Sequence, residues 1–277
     1  MKKSGVTILW IWFVIFGIII AFVTMISKDG DEANSIAWLV LEGFVLVLDI
    51  ILLVKNKLPK RESILAAVIL ALLVLASYVD VSVLGNHPVW FNLIVDPLLT
   101  LMSSLVCFRV FEKYPQKTGR IFRKHEAESI LISILIGCVA GLIWGIINIM
   151  LMMGSNQSQL NFSIHSILVA LSPAIFEEIA LRTVFWAFYL EAVKGAETTR
   201  LQKFTCMFMM ILPHVLIHTP NVFVNQGIVN GLISIGLYVV LFGIVFAFLQ
   251  KKRDLASAMI AHGAVDLMRF CFFGLPL

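Results

Sequence analysis

Residues 173–182 read PAIFEEIALR and place Glu177, Glu178 and Arg182 inside an apolar run that extends from about residue 162 to 190. A carboxylate in such surroundings can take a proton from water, and a guanidinium can hold a second carboxylate in place. Two later runs carry groups of the same kind. ILPHVLIHTPN holds His214 and His218 four residues apart, and AHGAVD holds His262 and Asp266 four residues apart. Each pair shares a helix face. Carboxylates and imidazoles gathered in this way can supply a base for water and donors for a developing oxyanion.

Helical spacing separates the two glutamates. Glu178 and Arg182 are related as i and i+4 and can form a charge-compensated pair, whereas Glu177 lies about 100° from Glu178 and about 140° from Arg182. Glu178 is thereby assigned to Arg182, and Glu177 points elsewhere without that partner, as a general base would. The trio alone is equally consistent with a buried ion pair that locks two helices. Pro173, one turn before Glu177, leaves the carbonyl of residue 169 without its helical donor and predicts a bend in the span.

The elements that must position these groups are membrane helices. Of 277 residues, 60% are hydrophobic and 14% charged, and the mean hydropathy is +0.97. A bilayer core of roughly 30 Å needs about 20 apolar residues per helix. Runs of that length recur near 6–26, 36–54, 63–84, 89–111, 129–153, 163–189, 204–218, 227–249 and 255–275, without period-two alternation. The reading is an all-α, polytopic transmembrane helical bundle of about nine spans (eight to nine). The first span follows MKK but shows no small-x-small cleavage site, which reads as a retained anchor.

Charge falls on every second loop. With the amino-terminal lysines included, one side holds 17 Lys and Arg and the other only Lys28, while Arg109, Arg182 and Arg269 lie within spans. The positive-inside rule makes the basic side cytoplasmic, so the amino terminus is expected inside and the carboxyl terminus outside the cell membrane. The net charge of +4 is therefore a topology signal and points to no nucleic-acid partner. Cys107, Cys138, Cys206 and Cys271 lie in or at the ends of spans without CxxC spacing, which argues against a disulfide framework or a structural zinc site. The loops are too short for a soluble domain, so the chemistry must lie in the membrane.

Intramembrane ionisable residues are costly, by roughly 2.5–3.5 kcal/mol on insertion scales. Glu42, Asp49, Asp80 and Asp96 lie near span ends, where water or loop backbone is expected to satisfy them, and His125 and His165 are boundary residues. At about 1.5 Å per residue from the basic loops, Glu177, His214, His218, His262 and Asp266 lie at depths of about 10–22 Å. They can meet near mid-membrane.

These residues resemble the CAAX protease and bacteriocin-processing (CPBP) family of intramembrane glutamic proteases, whose pattern is EExxxR, FxxxH and HxxxN. FEEIALRTVF supplies the first element, His218 with TPN the second, and His262 the third, with His214 in place of the Phe and Asp266 in place of the Asn. The resemblance covers about residues 130–270. It implies a catalytic core over 129–277, with the four spans of 1–128 accessory. It also implies that Glu177 is the base, His218 its partner and His262 the oxyanion donor, with Glu178 and Arg182 supporting. An ionised Asp266 cannot donate a hydrogen bond, so it either stays protonated or orients His262 with help from Arg269. His214 is the other candidate for the catalytic imidazole.

The leading expectation is a membrane peptidase without a cofactor, acting on a peptide or membrane-protein substrate in the lipid bilayer. A zinc-dependent hydrolase is the alternative, although neither HExxH nor a compact ligand spacing is present. A non-catalytic immunity or transport protein with a buried Glu–Arg pair is the third reading.

Overall fold

The computed structural model describes residues 4–78, 89–115, 119–124, 126–153, 160 and 162–274. Asp80, His125 and nearly all of the 155–161 loop lie outside them. The regular structure of the described residues is entirely helical, without strands. Helices α1 (Ser4–Ile26), α2 (Gly30–Lys55), α3 (Arg61–Ala76), α4 (Val89–Lys113) and α5 (Ala127–Met152) precede the segment of interest. It begins as α6 (Ile164–Val169), passes through two π-helical turns (Pro173–Glu177 and Ile179–Thr183) and ends as α7 (Val184–Ala192). Then come α8 (Arg200–Ile217), α9 (Pro220–Gln226), α10 (Ile228–Tyr238), a third π turn (Val239–Gly243), α11 (Ile244–Lys252) and α12 (Leu255–Phe273).

Among the described residues, seven helices are long and apolar enough to cross a membrane, and the bent pair of α8 and α9 makes up to eight. Helix α3 has 16 residues and ends at Ala76 with Ser77 as its C-cap, and the part of the expected span at 63–84 beyond Tyr78 lies outside the described residues. The surface suits lipid: Phe22, Val54, Leu142 and Leu232 are all exposed, and large apolar surfaces of this kind mark contact with a membrane or partner.

Two expectations change. The span expected at 204–218 ends at His218 as read, but the segment after it, expected as a loop, forms the short helix α9, which the chain enters by a turn of 50°. Pro220 stands at the start of α9 and cannot extend the α8 hydrogen-bond ladder. The second change is the winding after Pro173. There the break anticipated from proline becomes wider π turns, so the rotation angles of an ordinary α-helix do not hold at Glu177 and Glu178.

Helix α12 lies along α5 at very close range. Gly137, Gly141 and Gly145 repeat every fourth residue on α5, and a Cβ on Gly141 would stand 2.5 Å from the Cβ of Ala264. Small residues at this spacing let two backbones approach in lipid, where packing replaces the hydrophobic effect as the driving force. At its start, α12 is capped by Asp254, which accepts from the Ser257 amide at 2.9 Å and from Ser133 of α5. The helix carrying His262 and Asp266 is thus pinned at its end and along one side.

The basic segments gather at one end of the bundle. Glu112 accepts from the Lys60 amide at 3.1 Å, Lys113 pairs with Glu191 at 2.8 Å, and Lys251 pairs with Glu197. The Arg123 amide donates to Asp254 at 3.0 Å.

Candidate functional site

The π turns place Glu177 and Glu178 on different sides of their helix. Glu178 is fully buried and accepts from three side chains: Arg182, the Nδ1 of His262 at 2.7 Å and the amide nitrogen of Gln250 at 2.6 Å. Gln250 also donates to the Glu178 carbonyl at 3.0 Å, and the Thr183 hydroxyl donates to the same carbonyl at 2.6 Å. Backbone oxygens freed by the irregular winding are satisfied in this way, as buried polar groups require.

Glu177 faces the histidines. Its Oε2 lies 2.7 Å from His214 Nε2, 3.7 Å from His262 Nε2 and 3.9 Å from His218 Nε2. Arg182 turns its second amino group to His214 Nδ1 at 2.9 Å. Arginine can only donate, so Nδ1 accepts and the His214 proton sits on Nε2, which donates to Glu177. His214 therefore has no free lone pair. His218 lies 3.1 Å from His214 Nε2, its ring edge-on to Trp38 at 5.4 Å, and its side chain is 39% exposed.

His262 lies among carboxylates. With Nδ1 on Glu178, its Nε2 faces Asp266 Oδ2 at 3.3 Å, and Arg269 reaches the other Asp266 oxygen at 3.3 Å. Phe246 stacks on the His262 ring at 4.6 Å, and the Arg182 guanidinium stands 5.4 Å above the same Phe246. A flat apolar face on one side and carboxylates in the plane fix the ring's orientation.

All seven site residues expected from sequence therefore come together. Glu177, Arg182, His214, His218, His262 and Asp266 line a cavity of about 790 Å³, and Glu178 stands behind it. Three features were not anticipated. Gln250 read as part of the basic loop QKKRD, Trp38 belongs to a span outside the expected core, and Glu42 and Asp96 are not satisfied at an interface. Both are 5% exposed and line the cavity inside the bundle. The cavity thus takes its walls from both sides of the division at residue 128. Only the apolar neighbourhood of the two acids in sequence could have signalled this.

The family model for Rce1-like proteins, type II CAAX prenyl endopeptidase Rce1-like, matches residues 159–268. That segment contains all seven site residues, and over it the chain is similar to the CAAX protease family, as the EExxxR motif suggested. The family is one of membrane endopeptidases. No curated protein and no solved structure matches the chain.

Proposed function

We propose that this multi-pass membrane endopeptidase hydrolyses peptide bonds with water activated by Glu177. The observation that carries the reading is the Glu177 carboxylate on the cavity wall, with ring nitrogens of three histidines between 2.7 and 3.9 Å from one of its oxygens. A water between Glu177 and His218 would lose a proton to the carboxylate as its oxygen attacks the substrate carbonyl. His262, doubly protonated with Nδ1–H on Glu178, would donate Nε2–H to the resulting oxyanion. Glu177 then returns its proton to the amine as the C–N bond breaks. His214 positions Glu177, Arg182 positions His214, and Asp266 with Arg269 holds the His262 ring until the oxyanion forms. The substrate would be a peptide or membrane-protein segment entering from the bilayer.

A metal reading has one observation in its favour. Ligand atoms of Glu177, His214 and His218 lie within 4.8 Å of one another. A metal needs the lone pair of a neutral imidazole, and at His214 the proton on Nε2 and the Arg182 donor on Nδ1 use both nitrogens. The set first considered for zinc, Glu177, His218, His262 and Asp266, is no better, because among the described residues no three of these four bring their ligand atoms within 4.8 Å of one another. Purified protein is expected to hold no stoichiometric zinc and to keep its peptidase activity in a strong chelator. Activity lost in chelator and restored by zinc would replace the carboxylate mechanism with a metal one.

For topology, the basic end of the bundle is proposed to be cytoplasmic. Support comes from the charge split and from the way segments 56–62, 191–203 and 250–254 share that end through their ion pairs and hydrogen bonds. Reporter fusions in these segments should give cytoplasmic signals, and a fusion in 155–161 the opposite signal. A cytoplasmic signal from 155–161 would overturn this orientation.

A further inference from the structure

The cavity holds more acid than the hydrolytic reaction uses. Its two basic side chains with fixed charge are already engaged, Arg182 by Glu178 and Arg269 by Asp266. The same cavity is lined by Glu42 of α2 and Asp96 of α4, each 95% buried. Glu42 makes no hydrogen bond among the described residues, and its Oε2 is fully buried without a partner. Asp96 accepts from the Tyr78 hydroxyl through Oδ2, that hydroxyl also lies 3.1 Å from the Ser172 hydroxyl, and Oδ1 is left without a partner. The two carboxyls line the same cavity as Glu177. Native proteins rarely leave such groups unsatisfied, and two acids facing one cavity without a base call for a cation from outside the chain. Asp49, also partly unsatisfied, lacks this character because it accepts from Ser103 and does not line the cavity.

We propose that Glu42 and Asp96 form a subsite for a basic side chain, arginine or lysine, of the peptide that is cleaved. The inference rests on the peptidase reading for its substrate and on the cavity wall for its chemistry. A guanidinium has several donors in a planar fork and can bridge two carboxyls while its aliphatic stem lies along apolar walls. A hard metal ion would require about six oxygens, whereas the two carboxyls, Tyr78 and Ser172 offer fewer with their mutual bonds in place. Because Glu42 and Asp96 line the same cavity as Glu177, the basic residue would occupy a fixed position relative to the scissile bond. Cleavage would then select for charge at one substrate position, within a membrane where an unpaired basic residue is costly.

The test uses the full chain in detergent and two measurements. In the first, N-acetyl-arginine methylamide and its neutral isostere N-acetyl-citrulline methylamide are titrated against thermal unfolding. The arginine compound is expected to stabilise the protein at concentrations at least tenfold lower than the citrulline compound, and Glu42→Gln should weaken its effect at least tenfold. Glu42→Gln breaks no hydrogen bond, and Asp96→Asn, which can still accept from Tyr78, serves as the second variant. Equal effects of the two compounds, no effect of either, or wild-type binding in both variants would overturn the subsite. In the second measurement, a randomised decapeptide library is digested and the cleaved ends are sequenced by mass spectrometry. Lysine and arginine should be enriched at one position in wild type, and Glu42→Gln should lose that enrichment among the peptides it still cleaves. Glu177-dependent cleavage with a flat distribution overturns the subsite and leaves the peptidase standing. Selective arginine binding without any Glu177-dependent cleavage supports the cation pocket and sinks the peptidase reading.

Discussion

Glu177→Gln should reduce cleavage by about 10²–10⁴-fold, the usual contribution of a positioned general base, while the protein remains inserted and folded. The expected separation of activity from stability follows from the hydrogen bonding. His214 donates to Glu177 because Arg182 occupies its other nitrogen, and a glutamine carbonyl can accept that same hydrogen bond. The amide lacks only the capacity to take the water proton. Unfolding temperature and cleavage measured on the same preparation check this, and retained activity in Glu177→Gln would end the assignment of Glu177 as base. His218→Ala, by the same reasoning, loses a water-facing ring and spares the bundle.

Glu178→Gln should act mainly through the fold. Glu178 is 0% exposed and Arg182 1% exposed, and breaking a buried ion pair by removing one charge costs roughly 3–5 kcal/mol, since the other charge is left uncompensated. The same carboxylate accepts from His262 and Gln250, so its loss also frees the ring that faces Asp266. The expected result is a lower unfolding temperature together with lower activity. Adding Arg182→Met removes the orphaned charge and should recover part of the stability, because replacing both members of a buried pair is often near neutral. Activity should stay low, since His214 then has no donor at Nδ1. Unfolding measurements on the single and double variants check the coupling, and an unfolding temperature unchanged in Glu178→Gln would refute the structural role.

Most of the site could be read from spacing and depth. Glu178 and Arg182 were paired by the i, i+4 rule, and the structure pairs them. His214, His218, His262 and Asp266 were gathered by counting residues in from the basic loops. Spacing could not tell which imidazole touches Glu177. His214 lies 2.7 Å from it and His218 3.9 Å, because α8 ends at His218 and the chain turns away there. Gln250 escaped notice because a polar residue beside two lysines looks solvated, and only the tertiary fold brings it to Glu178. Glu42 and Asp96 were misread for a related reason. Distance from a span end measures depth along the bilayer normal and carries no information about whether a side chain turns to the lipid, the interface or the bundle axis.

The π winding between Pro173 and Thr183 bears on how such chains diverge. A π turn is commonly a local widening of an α-helix by one residue, so deletion of one residue in this stretch would let the helix relax to regular α winding. Where the residue lost lies before Glu177, the apolar composition would be nearly unchanged, and EE with its arginine four places on would still be spelled correctly. Everything on one side of the deletion would nevertheless be swung about the helix axis relative to the other, and Glu177 could no longer face α8 while Glu178 faces α11 and α12. Gaps in this stretch should therefore separate relatives that keep the chemistry from those that keep only its letters.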